Sequence, residues 1–258
     1  MKEETVSRLY EELDEWNFLG EEAIFWWRDD DAQSYTLELQ KLLDLSNKFS
    51  VPVSLAVIPQ GLDVSLGADI DPYPLVTVLQ HGFSHQNYAE PDQKKQELGS
   101  HRGAVAVLDE LCRGMSILND EFGEAFCAIL VPPWNRIEHS LVSSLPEIGY
   151  KGISTFKPRK SMEAEQDLWA VNTHADIINW KSGRAFIGES SVIEQLTAHL
   201  KGKRLGVYDA AEPTGLLTHH LVHDGEAWNF LSGLLTVMDE HPAVKWVDAK
   251  TAFQVRWR

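Results

Sequence analysis

From residue 6 to residue 247, short apolar runs alternate with segments whose apolar residues recur every three or four positions. Val6, Leu9, Tyr10, Leu13 and Trp16 follow two glutamates that suit the positive end of a helix dipole, predicting an amphipathic helix over 3–18. Residues 23–28, Ala-Ile-Phe-Trp-Trp-Arg, are too few for a helix and predict a buried strand that stops at three aspartates. Ser34 is placed to cap a helix carrying Leu39, Leu42, Leu43 and Phe49 inward, and residues 51–59 predict a second strand. A third follows at 75–79. Val105, Leu108, Leu111, Cys112, Met115 and Leu118 mark the inward stripe of a helix, and residues 126–131 a fourth strand. Beyond it, 141–148 fits a short helix, and 152–156, 176–178 and 214–218 fit short strands. A helix burying Trp228, Leu231, Leu234, Leu235 and Met238 leads into a last strand at 244–247. Strands alternating with helices imply parallel βαβ units. With no linker, repeat or change of composition, they predict one α/β domain over 1–258, a barrel or barrel-like sheet of about seven strands.

Composition narrows the partners. A chain that is 43% hydrophobic has a sizeable core to bury, which sets disorder aside. Lys+Arg 23 against Asp+Glu 39 leaves a net charge of -16, a surface that repels phosphate backbones and anionic lipid, so neither nucleic acid nor membrane is expected as a partner. The acidic start does not resemble a signal peptide, and no apolar run approaches the roughly 18 residues of a membrane span. Cys112 and Cys127 have no metal-binding spacing and are expected as small buried hydrophobes. The expected compartment is the cytoplasm.

Polar residues at the carboxyl ends of strands carry the candidate chemistry, because parallel α/β folds gather those loops at one site. Asp29, Asp30 and Asp31 follow the first strand, the run from Gln80 to His85 the third, Pro132 to Arg136 the fourth, and His219 and His220 a late one. Three aspartates in a row could simply be a solvated turn before a helix. Crowded at the mouth of a buried strand, however, they repel one another and call for a cation. His81 and His85 share a face if the loop enters a helix there. Two neutral imidazoles and one carboxylate form a common catalytic zinc set that leaves a position open for water.

Taken in order, these residues resemble the motifs of the polysaccharide deacetylases, the NodB-homology or family 4 carbohydrate esterases. Asp30-Asp31 before the small Ala32 is similar to the family's Asp-Asp pair, and His81 to His85 to its His-x3-His. Pro133-Trp134 is similar to its third motif, Asp176-Ile177-Ile178-Asn179-Trp180 to Asp-x-x-Asp-Trp, and Leu217-Thr218-His219 to Leu-x-His. The resemblance implies a distorted (β/α) barrel of NodB-homology type that hydrolyses an amide with one divalent metal, most simply zinc. Asp31, His81 and His85 would hold the ion, Asp30 would be the general base and His219 the general acid. Asp176 would orient an imidazole or cation, while Trp134 and Trp180 would wall a groove for sugar rings. Asp29-Asp30 is the alternative register for the pair, and His220 the alternative acid. Departures are Gly82 for the family's Ser or Thr, Asn179 for its second aspartate, and Val131 for the arginine that opens the third motif. Arg136 or Arg28 would have to supply that charge. The expected substrate is a small N-acylated carbohydrate. The alternatives are a non-sugar amide or ureide, or carbohydrate binding without turnover.

Overall fold

Runs of Val, Ile, Leu and Trp too short for helices and apolar on both faces suit parallel strands buried between layers, and they form a barrel with helices outside. The computed structural model describes residues 1–254; the last four positions of the predicted 1–258 domain lie outside the described residues. The strands are β1 (Ala23–Ala32), β2 (Val53–Val57), β3 (Val76–His81), β4 (Phe126–Val131), β5 (Gly152–Ile153), β6 (Glu163–Glu165), β7 (Leu168–Ala170), β8 (Ala175–Asp176), β9 (Ile178–Asn179), β10 (Ala185–Phe186), β11 (Thr214–Thr218) and β12 (Val244–Trp246). The helices are α1 (Glu3–Phe18), α2 (Leu37–Phe49), α3 (Leu66–Ile70), α4 (Ala104–Phe122), α5 (His139–Val142), α6 (Glu189–Arg204), α7 (Gly225–Asp239) and α8 (Ala249–Ala252).

The order β5-β4-β3-β2-β1-β11-β8 is parallel throughout. One extended segment closes the ring. β7 pairs with β5, Val171 N and Thr173 N then donate to Ile153 O and Thr155 O, and His174 N donates to Gly215 O as the segment crosses to β11. Counting that segment once, the barrel has seven staves, distorted where it changes partner. β12 adds to the start of β1, and β9 and β10 form a separate hairpin.

Period-two alternation along β1 sorts its aromatic residues. Trp26 points into the barrel among Ala56, Leu79, Ile129, Val131 and Phe253, the last lying just past α8. Phe25 and Trp27 point outward, into the larger core formed with α1, α2, α6 and α7. A third cluster joins Leu98, Val107, Leu111, Leu130 and Tyr150. No described helix is long and apolar enough to cross a membrane.

Several local expectations change. β1 runs on through all three aspartates because Asp29 still pairs with Thr218 and Ala32 with Val57. Thr36, not Ser34, caps α2, its hydroxyl accepting from Leu39 N at 3.1 Å. On α4 the expected Leu111 and Leu118 are buried and Leu108 and Met115 partly so, but Val105 is 73% exposed and Val107, Gly114 and Phe122 complete the buried face. The helix expected over 141–148 is the single turn α5 followed by turns, with Pro146 too close to its end to allow more. Residues 176–178 split into β8 and β9. Cys127 is buried, and Cys112 on α4 is only partly so. α6 has no counterpart in the sequence reading: its inward residues Val192, Ile193, Leu196 and Leu200 are interrupted by His199 and Lys203, which blur the apolar stripe.

Candidate metal centre

Since β1, β3, β4 and β11 run parallel, their carboxyl ends meet at one mouth of the barrel. Alternation alone would turn adjacent aspartates to opposite faces. Asp29 points outward and Asp30 inward, but between Asp29 and Ala32 the register with β2 shifts by one residue, and Asp31 has φ +75°. This β-bulge brings Asp31 to the same mouth as Asp30.

His81 ends β3, and His85 lies in the following loop with φ +54°; the helix that was to bring the two together does not form there. The loop does it instead. His81 Nε2 is 3.1 Å and His85 Nε2 3.3 Å from Asp31 Oδ1. His81 Nδ1 faces Val131 O at 2.9 Å, a carbonyl that can only accept, so Nδ1 carries the ring proton and Nε2 presents its lone pair. Asp31 Oδ1 is buried with no well-aligned donor. Lone pairs converging at such distances repel unless a proton or metal ion sits among them. Burial raises the Asp31 carboxyl, yet its hydrogen bond with His81 outweighs this and leaves it below the ordinary carboxylate range, while the same bond raises the His81 imidazole; in the absence of an ion, a proton held between the two takes the cation's place. Burial, then neighbouring His81, push the His85 imidazole down to about 4. A lone pair at His85 and a charged carboxylate at Asp31 are the forms a divalent ion requires, so this donor set fits one.

Inside the barrel Arg28 grips Asp30, with Nε 2.8 Å from Oδ1 and Nη2 donating to Oδ2 at 3.0 Å. Arg28 also donates to Ser154 Oγ at 2.7 Å and Asn135 Oδ1 at 2.8 Å, and is fully buried. Of Arg28 and Arg136, it is Arg28 that lies against Asp30. Arg136 does not, since its Nη1 donates outward to Lys95 O at 2.8 Å. His219 Nε2 is 3.9 Å from Asp30 Oδ2, while Trp180, 43% exposed, meets the His219 ring edge-on at 4.6 Å. Asp176 accepts from Trp180 Nε1 at 2.7 Å and Ile178 N at 2.9 Å, and burial raises its carboxyl. Pro133 and Trp134 form the turn after β4, and the Trp134 ring lies 4.5 Å from that of His85.

The two open alternatives separate by direction. Asp29 is fully buried on the outer face, accepting from Thr218 Oγ1 at 2.6 Å and His220 N at 3.0 Å, with His220 Nδ1 2.5 Å from its other oxygen. Asp29 and His220 therefore occupy each other, and Asp30, Asp31 and His219 face the mouth.

Sequence reasoning missed a second convergence. His174, His199 and Glu212 are all buried with their ligating atoms within 4.8 Å of one another. His174 Nδ1, however, accepts the Gly215 N–H at 2.9 Å, which places the ring proton on Nε2, 3.4 Å from Glu212 Oε2. That nitrogen has no lone pair to give an ion, and the cluster is better described as a buried acid facing two imidazoles that stack on each other.

No protein-family model matches the chain, and no curated protein matches its sequence. Solved structures do. A Mycobacterium smegmatis protein classed as a polysaccharide deacetylase is 14% identical with a TM-score of 0.65, over 90% of both chains. A peptidoglycan N-acetylglucosamine deacetylase in complex with a naphthyl-substituted N-hydroxybenzamide is 16% identical with a TM-score of 0.56, over 91% of this chain and 90% of its own. A family 4 carbohydrate esterase from Streptomyces lividans in complex with acetate is 12% identical with a TM-score of 0.56, over 87% and 91%. The chain thus has the fold of the polysaccharide deacetylase domain, a mostly parallel distorted barrel, across about 90% of its length.

Proposed function

We propose that the protein is a metal-dependent hydrolase that removes an acyl group, most simply acetyl, from the nitrogen of a small amino sugar. The observation that carries this is the meeting of Asp31 Oδ1, His81 Nε2 and His85 Nε2 beside an independent acid–base pair, Asp30 and His219. Solved structures of the same fold add support on the acyl side: one is bound to acetate and another to an N-hydroxyamide.

Asp31, His81 and His85 would hold the ion, zinc being the simplest choice for this donor set. When bound, such an ion supplies Lewis acidity, lowering the pKa of a water and polarising the acyl carbonyl. Asp30 accepts the attacking water's proton, and Arg28 fixes both of its oxygens so that Oδ2 stays turned toward His219. His219 gives a proton to the amine, a poor leaving group until protonated. Trp180, held by Asp176, lies edge-on against the His219 ring. Trp134, in the turn after β4, and Trp180, just past β9, offer faces for an apolar sugar surface. A net charge of -16 favours a neutral or weakly charged substrate over an anionic polymer.

The test is a screen of metal-reconstituted protein for acetate and free amine, using N-acetylglucosamine, its oligomers, nucleotide sugars and non-sugar amides. Release from an amino sugar is the expected result. Release only from non-sugar amides would replace the substrate class, and no release from any of them would overturn hydrolysis.

A further inference from the structure

The turn that carries His85 is bound to a carboxylate far along the chain. Glu97, in the loop between β3 and α4, is 1% exposed. Its Oε1 accepts from Phe83 N at 3.1 Å, Ser84 N at 2.7 Å and Ser84 Oγ at 3.0 Å, and its Oε2 accepts from His85 N at 3.1 Å. Three consecutive main-chain N–H groups thus converge on one internal anion, a nest of the kind that elsewhere binds phosphate. The rest of the turn is held as tightly. Gly82 N donates to Val131 O, Gln80 Nε2 donates to Gly82 O, and Gln60 N donates to Phe83 O. Gly82 has φ +56°, and a Cβ there would lie 2.3 Å from Glu97 Oε2 and 2.6 Å from Pro133 Cγ. The absent side chain at position 82 and the buried carboxylate at 97 are therefore two halves of one arrangement.

We propose that Glu97 is a positioning residue for the metal ligand His85, fixing a left-handed backbone so that Nε2 meets His81 and Asp31 before the ion arrives; this rests on the metal-centre reading above. Preorganised ligands lose little entropy on binding, and a buried negative charge behind the ligand turn adds attraction for a cation. Hydrogen-bonding partners of metal ligands are worth 10–100-fold in affinity, and Glu97 serves through the ligand's main chain.

The experiment compares wild type with Glu97→Gln by zinc competition against a calibrated chelator, by the visible spectrum of the cobalt-substituted protein, and by melting of the apoprotein. An amide has one accepting oxygen where the carboxylate has two, so one end of the nest meets NH2 instead of oxygen. Zinc affinity is expected to fall about 10–100-fold, with cobalt bands shifted by the altered ligand geometry. Wild-type affinity with an unchanged cobalt spectrum would overturn the proposal even if the apoprotein melts lower, since that pattern marks a purely structural residue. Should Glu97→Gln fail to fold, Glu97→Asp, which keeps the charge but is one methylene short, is expected to bind zinc several-fold more weakly, and equal binding overturns the proposal. Wild type that binds no metal would instead overturn the metal-centre reading on which it rests.

Discussion

Arg28→Met removes the only cation that the structure places against Asp30 among the described residues, while keeping most of the side-chain length. Arg28 and Asp30 are both essentially excluded from solvent, and Arg28 has two further partners within 2.8 Å, Ser154 Oγ and Asn135 Oδ1. Breaking a buried pair on one side leaves an uncompensated charge and costs about 3–5 kcal/mol. At roughly 2–4 °C per kcal/mol for a domain of this size, the variant should melt about 6–20 °C lower. Adding Asp30→Asn, which removes the stranded charge, should restore much of the loss. Urea denaturation of the two single variants and the double variant at pH 8 measures all of this, with a coupling energy near the top of the usual 0.5–3 kcal/mol range. An Arg28→Met protein as stable as wild type at pH 8, or one that Asp30→Asn fails to rescue, would refute the pairing.

Metal analysis should show Asp31→Asn and His85→Ala losing the ion, and Asp30→Asn retaining it while turnover drops about 10²–10⁴-fold. Gly82→Ser, which restores the residue type usual in the resembling family, should cost more than about 2 kcal/mol in urea denaturation, because its Cβ would meet Glu97 and Pro133 at a positive φ; a neutral effect would show that the turn is free to shift. Burial and the neighbouring His174 hold the His199 imidazole near 4, against 6.5 for the free residue, while Glu212 pulls the other way. The unfolded chain therefore takes up a proton there before the folded one does, and stability falls as pH drops from about 6.5 to 4. His199→Gln should lose roughly 2–3 kcal/mol less than wild type across that interval, and an identical acid transition would contradict the assignment.

Alternation of short apolar runs with helical stripes made the barrel legible, as did the position of its polar residues at strand ends. Side-chain direction was less accessible. Strict alternation would have sent Asp30 and Asp31 to opposite faces, and only the bulge at Asp31 reconciles them. His81 and His85 were correctly paired by spacing but for a helical reason that does not hold; a loop held by Glu97, twelve residues on, brings them together. That carboxylate lies in a polar stretch where any acidic residue looks solvated. Arg28 and Arg136 look equivalent in the sequence, and the inward register of Arg28 on β1 distinguishes them. The His174, His199 and Glu212 cluster spans 38 residues and joins α6 to two connecting segments, so no local pattern announces it.

Anomalous diffraction at the zinc edge from crystals grown with zinc tests the account most directly. One ion is predicted about 2.0–2.2 Å from Asp31 Oδ1, His81 Nε2 and His85 Nε2, with His174, His199 and Glu212 free of anomalous density. No peak at Asp31, or a peak at Glu212 instead, would contradict it.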